Sequence, residues 1–246
     1  MKYEDMLNTI TLGDSYKIIK EIPDNSIDCI YTDIPYLIDN FGGGTSKLAK
    51  RITQLNREQI GFISNGIDYN ILKDFIRVLK KINIFIWCSK NQILDLMEFF
   101  NQNECYCDIL VWCKTNPAPN CNNNWISDLE YCLYFREKRV HLNDGYELKS
   151  KWYCSSINKA DKEKYKHPTI KPLELVKRHI LHATQKNDIV LDCFSGSGTT
   201  CVAAKETGRQ FIGIEIEPEY HKISLDRLNG ILANGQISFD TDINKI

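Results

Sequence analysis

The chain has 246 residues, 43% of them hydrophobic and 26% charged, and a formal net charge of −1. That balance excludes a disordered chain, and no apolar run reaches the roughly eighteen residues of a spanning helix. Near-neutrality also excludes a protein coated in positive charge, so any polyanion contact has to come from local basic segments.

The start, Met1-Lys2-Tyr3-Glu4-Asp5, is polar and lacks the apolar stretch of a signal peptide, so a cytoplasmic protein without a membrane partner is expected. Residues 9–12 form a short strand that runs into Gly13-Asp14-Ser15, where Asp14 or Ser15 suits the cap of a helix through Ile18 and Ile19. Pro23-Asp24-Asn25-Ser26 makes a turn, and residues 27–32 form a buried strand ending in Asp33-Ile34-Pro35-Tyr36. An acid at the carboxyl end of a buried strand, followed by a stiffened turn and an aromatic ring, is where open α/β sheets place their chemistry. Alone, the tetrapeptide has a plainer reading, in which Asp33 caps a helix and Tyr36 packs in the core.

Periodicity fades over residues 37–65, where Gly42-Gly43-Gly44 precedes Lys47, Lys50, Arg51 and Arg57, and a mobile lid is expected there. Residues 67–81 fit an amphipathic helix, 82–88 a buried strand and 91–101 a second helix. Strands over 108–113 and 130–135 follow, separated by a polar connection rich in Pro and Asn. Residues 136–166 read as an irregular insertion with Trp152-Tyr153 either as core aromatics at its base, the favoured reading, or as contacts to a nucleotide. From Arg136 to Lys171 there are ten Lys or Arg against five Asp or Glu, so the rest of the chain carries −6. Such runs are either solvated loops or contacts to a polyanion near the active edge. On the second reading Lys47, Lys50, Arg51, Arg136, Lys138, Arg139, Lys149 and Lys151 are the candidate DNA-binding residues.

Pro172 suits the start of a helix through Leu175, Val176 and Ile180. Residues 189–194 then form a strand, Ser195-Gly196-Ser197-Gly198-Thr199-Thr200 a glycine-rich turn, 201–207 a helix closed by Gly208, and 211–216 a strand containing Glu215. Pro218 begins the last helix, and residues 231–246 form a tail. The ten cysteines fall mostly inside these elements. Cys29, Cys88, Cys113, Cys132, Cys193 and Cys201 read as small buried hydrophobes, and with no C-x-x-C pair in the chain no metal site is expected.

A strand, a G-x-G turn, a helix and a second strand carrying an acid make half of a nucleotide-binding unit. Glu215, seventeen residues beyond Gly198, can accept hydrogen bonds from two ribose hydroxyls. The third glycine of a dinucleotide fingerprint is missing, since Thr199, Thr200 and Cys201 follow Gly198. That favours a nucleoside without phosphates, such as S-adenosylmethionine, over a pyrophosphate, and disfavours a dehydrogenase.

The run from Asp192 to Thr200, preceded by His167-Pro168-Thr169-Ile170-Lys171-Pro172 and much earlier by Asp33-Ile34-Pro35-Tyr36, resembles the beta-order DNA amino-methyltransferases over residues 11–228. The resemblance implies an α/β fold, a Rossmann-like seven-stranded methyltransferase sheet permuted so that the catalytic motif precedes the cofactor motif. Residues 1–135 would be the catalytic half, 136–166 a small target-recognition insertion, and 167–230 the cofactor-binding half of the same domain. It also implies transfer of a methyl group from S-adenosylmethionine to a base amine in double-stranded DNA.

By position, Asp192, Phe194, Gly196 and Gly198 would line the methionine part of the cofactor, with Thr199 in the same turn. Glu215 would hold the ribose, Asp14 would lie near the adenine, and Thr169 and Lys171 would close the pocket. Asp33 would accept one amine N–H and the Ile34 carbonyl the other, while Tyr36 stacks on a flipped base. Ile34 stands where the family usually has a second proline. Its carbonyl and the stiffness imposed by Pro35 remain, so the change is expected to be permissive. Asp33, where cytosine-N4 enzymes generally have Ser, points to adenine N6. The rivals are cytosine N4 and a non-catalytic regulator that binds cofactor and DNA. C5 chemistry would need a nucleophilic Cys, typically after Pro, and the chain has no Pro-Cys dipeptide. A second copy of the chain and a companion restriction endonuclease are the candidate protein partners.

Overall fold

The computed structural model describes residues 2–37, 66–117, 125–157 and 170–231. Within them, β1 (Thr9–Leu12), β2 (Cys29–Asp33), β3 (Asn83–Cys88), β4 (Tyr106–Lys114), β5 (Leu129–Arg136), β6 (Trp152–Ser155), β7 (Ile189–Asp192) and β8 (Gln210–Glu215) form one sheet. Its order is β1-β8-β7-β2-β3-β5-β4-β6. β5 runs antiparallel to both its neighbours, and every other pairing is parallel.

The expected α/β sheet is therefore present, with eight strands rather than seven. The added strand, β6, lies inside the segment read as an irregular insertion and pairs in parallel with β4. Four residues between polar flanks are too few for periodicity to reveal. Trp152 is 61% exposed and is not a core aromatic, whereas Tyr153 is half-buried with the Arg178 guanidinium 5.1 Å from its ring.

Alternation along the strands builds two apolar faces. Ile30 and Ile34 join Ile84, Ile86, Leu133 and Phe135 on one, which α2 (Ile71–Val78) and α3 (Ile93–Asn101) cover. Cys29 and Tyr31 join Phe85, Trp87, Cys132 and Tyr134 on the other, under α4 (Leu173–Ala183) and α5 (Thr199–Glu206). Each large side chain buried in these faces contributes about 1.5–3 kcal/mol. The short α1 (Ser15–Ile18) follows β1, and α6 (Pro218–Leu228) follows β8.

α2 is shorter than its apolar pattern suggested, for local reasons. The Asp68 carboxylate accepts the Asn70 N–H just before the helix, and Leu79 leaves it in extended conformation to bridge Ile27. Cys113 is half-buried, while Cys29, Cys88, Cys132, Cys193 and Cys201 are in the core as expected.

The chain leaves β2 toward β3 on one side and β7 toward β8 on the other, although β2 and β7 are neighbours. Open α/β sheets bind ligands at the carboxyl ends of strands flanking such a reversal. Asp33 ends β2 and Asp192 ends β7.

Candidate active site and cofactor pocket

A cavity of about 550 Å³ opens at that switch point. Of the expected residues, Asp14, Asp33, Ile34, Pro35, Tyr36, Lys171, Asp192, Phe194, Gly196, Thr199 and Glu215 line it. Thr169, Lys47, Lys50 and Arg51 lie outside the described residues, as does most of the expected lid. Gly198 lines nothing. It holds φ +75° at the cap of α5, and a Cβ there would lie 2.8 Å from Ser224 Cβ, so its role is close packing of turn against helix.

At the cofactor end, Glu215 is buried and accepts the main-chain N–H groups of Gly196 (2.6 Å) and Glu217 (2.9 Å). Burial raises its carboxyl above the ordinary range, and these N–H bonds oppose that. The four lone-pair sites of a carboxylate leave capacity for ribose hydroxyls. Asp14 caps α1 by accepting the Tyr16 N–H, and the Tyr16 and Phe194 rings meet edge to face at 6.3 Å. Asp192 is 3% exposed and accepts from Thr32 Oγ1 (2.9 Å) and the Phe194 N–H (3.1 Å). Burial pushes its carboxyl up to about 7 against those hydrogen bonds.

At this end the wall carries five of the cavity's seven acidic side chains, Asp14, Asp192, Glu215, Glu217 and Glu219. That surface repels phosphate and suits a nucleoside bearing a sulfonium and an ammonium group. Ser195 Oγ is buried without a partner on the same wall, a spare group for the polar part of such a ligand. The residues therefore fit S-adenosylmethionine.

At the other end the tetrapeptide is clamped through its main chain. The Ile34 N–H donates to the Trp87 carbonyl (3.2 Å), Pro35 O accepts from Gln92 Nε2 (3.0 Å), Tyr36 O from the Gly66 N–H (3.2 Å) and Leu37 O from Ser89 Oγ (3.0 Å). The Ile34 carbonyl is left without a donor among the described residues. The Ile34 side chain is buried in the core.

Lys171 lines the cavity, and its ammonium sits 2.5 Å from Asp33 Oδ2, 3.2 Å from the Tyr36 hydroxyl and 3.1 Å from Glu130 Oε2. Burial would lower its pKa, but the two carboxylates outweigh this and hold it charged. Burial raises the Asp33 carboxyl above its usual value, with Lys171 opposing, and Asp33 Oδ1 stays buried with no partner. Sequence reasoning missed Glu130 and Lys114, which pair at 2.6 Å. The available signal was one acid opening an otherwise apolar, aromatic strand, which has to be paired if buried.

Among the described residues of the basic segment, Arg136, Lys138 and Arg139 lie away from the active edge, while Lys171 lies on it. Arg136 pairs with Asn83 at the amino end of β3, whereas Asp33 pairs with Trp87 near its carboxyl end. Lys138 and Arg139 follow Arg136 away from the site, and Arg136 lies over the Tyr106 ring at 4.7 Å. Lys149 is paired with Asp144 (2.8 Å), and Lys151 with Asp108. The reversed direction of β5 is what places Arg136, Lys138 and Arg139 at the far end.

A DNA methylase family covering N6 and N4 enzymes matches residues 27–226. The type II methyltransferase M2.LlaDCHI of Lactococcus lactis subsp. cremoris is 34% identical, over 92% of this chain and 91% of its own. M2.DpnII of Streptococcus pneumoniae is also 34% identical, over 88% and 87%. A solved complex of M1.HpyAVI with SAM superposes with a TM-score of 0.67 at 29% identity, covering 89% of this chain and 99% of that one. With residues 33–36 and the acidic wall meeting in one cavity, the chain belongs to the N6/N4 DNA methylase family, enzymes that transfer a methyl group from S-adenosylmethionine to an amine of a DNA base.

Proposed function

We propose that this enzyme methylates N6 of an adenine flipped out of double-stranded DNA. The observation that carries the reading is a pair of acceptors without a partner among the described residues, Asp33 Oδ1 and the Ile34 carbonyl, on two adjacent residues that line the cavity. An exocyclic amine is a poor nucleophile because its lone pair is delocalised into the ring. Two acceptors, one for each N–H, draw the nitrogen toward a pyramidal form and free the lone pair. The cofactor, when bound, supplies an electrophilic methyl on sulfonium for direct displacement by that nitrogen. Tyr36 offers a ring face for the extruded base. Asp33 accepts a hydrogen bond from one amine N–H, and the Lys171 ammonium opposes the rise that burial imposes on its carboxyl.

Asp at position 33, rather than Ser, favours adenine over cytosine. The type II relatives favour a bacterial cytoplasmic setting with a companion restriction endonuclease. Among the described residues no helix is long and apolar enough to cross a membrane.

The test is incubation with labelled S-adenosylmethionine and unmethylated DNA, then digestion to nucleosides. Label is expected in N6-methyladenine and is lost with Asp33→Ala. Label in N4-methylcytosine overturns the base assignment, and no label on any DNA favours a protein that only binds.

A further inference from the structure

Four charged groups alternate in a line that ends at the reacting edge. Lys114 Nζ lies 2.6 Å from Glu130 Oε1, Lys171 Nζ lies 3.1 Å from Glu130 Oε2, and the same Nζ lies 2.5 Å from Asp33 Oδ2. Lys171 comes from the segment before α4, Glu130 from the start of β5, Lys114 from the end of β4 and Asp33 from the end of β2. Only the reversed direction of β5 brings Glu130 to this edge, beyond Cys88 of β3.

A lysine ammonium has three protons. Here the acceptors are Asp33 Oδ2, the Tyr36 hydroxyl and Glu130 Oε2, so every direction is taken. Lys171 is 8% exposed, and water does not compete freely for it. If the Glu130 acceptor were removed, the third proton would have Asp33 Oδ1 as the nearby unspent acceptor. That oxygen is the one the base amine needs. Glu130 in turn is fixed by Lys114, so it cannot follow Lys171 toward Asp33. Burial would raise the Glu130 carboxyl, but Lys171 and Lys114 together bring it down to about 2, and it stays an anion.

We infer that Glu130, anchored by Lys114, is a positioning residue for methyl transfer: it turns Lys171 so that the ammonium engages only Oδ2 of Asp33 and leaves Oδ1 for the base. Glu130 touches no reacting atom in this scheme and acts through Lys171. The inference rests on the proposed methylation of a base amine at Asp33.

The test compares the wild-type chain with Glu130→Leu, Lys171→Met and the double variant, measuring kcat on DNA, the Kd for S-adenosylmethionine and the melting temperature. Glu130→Leu, which has no acceptor for Lys171, should lower kcat by about tenfold or more, with cofactor Kd within about twofold. In the Lys171→Met background the same change should alter kcat by less than about threefold, because its target is gone. A purely structural role for Glu130 would instead add its full loss in that background. Full additivity overturns the inference, as does wild-type kcat in Glu130→Leu or a loss confined to cofactor Kd and melting temperature. A wild-type protein that methylates no DNA overturns the functional reading itself, while an active wild type with an indifferent Glu130→Leu overturns only the role of Glu130.

Discussion

Thr32 Oγ1 donates a 2.9 Å hydrogen bond to Asp192 Oδ1, tying the residue before the catalytic acid to the acid that ends the neighbouring strand. The two residues lie 160 positions apart in sequence and belong to different motifs. The bond locks β2 to β7 at the carboxyl ends that open into the cavity. It also leaves Asp192 buried among neutral donors, and pH dependence follows from that.

Asp192 titrates near 7 when folded and in the ordinary Asp range when unfolded. Between about pH 4 and pH 7 the folded protein therefore holds a proton that the unfolded chain releases, and the contribution of this group to stability falls as pH rises through that window. Asp192→Asn retains an acceptor for Thr32 and cannot ionise. Subtracting its melting curve from that of the wild type should reveal a component that declines from pH 4 to pH 7.5. A flat difference would remove the assigned cause.

Gly198 should behave as a packing residue. Gly198→Ala places a Cβ at positive φ and 2.8 Å from Ser224 Cβ, at a cost of about 1–3 kcal/mol. Chemical denaturation should register that loss, while cofactor affinity of the folded fraction stays within about threefold, since Gly198 lies off the cavity wall. A large affinity loss with little destabilisation would reverse the assignment.

Restoring the proline usual in the family should bring no gain. Ile34→Pro removes the N–H that bonds the Trp87 carbonyl and trims a side chain buried at 1% exposure. A stability loss of about 1–3 kcal/mol is expected. Because the position 34 carbonyl persists, kcat should stay within a few-fold. A variant that gains activity a hundredfold would show Ile34 to be inhibitory.

The far-end basic residues provide a control on the DNA surface. Lys138→Ala with Arg139→Ala should leave DNA affinity within about twofold and the salt dependence of binding unchanged, because a cation that neutralises a phosphate steepens that slope by about one and its removal flattens it by as much. Fluorescence anisotropy at several salt concentrations measures both. A flatter slope would mean that DNA reaches the amino ends of the strands.

The motifs were legible because each is a local pattern with a chemical reason. Asp33 follows a buried run, Gly196 and Gly198 sit between a strand and a helix, and Glu215 lies one strand later. What escaped was set by pairing between distant segments. Lys171 reads in sequence as part of the motif before Pro172, and only the fold brings its ammonium to Asp33, 138 positions away. Glu130 looked like the polar end of a strand, and its importance depends on β5 running backward. The same reversal sent Arg136, Lys138 and Arg139 to the wrong end for the DNA reading. Net charge along a sequence carries no information about strand direction, so the basic count could not have located them.

The orientation of the strand ends has a further consequence. The connection after Leu37, the one between β4 and β5, and the one after β6 all depart from the edge that bears Asp33, whereas the turn after Arg136 departs from the opposite edge. Chain length can thus be added or exchanged at three points around the reaction without disturbing the pairing of any strand. In an enzyme of this build, what is exchanged in those connections and what is held by the paired ends of β2, β5 and β7 are separable inheritances.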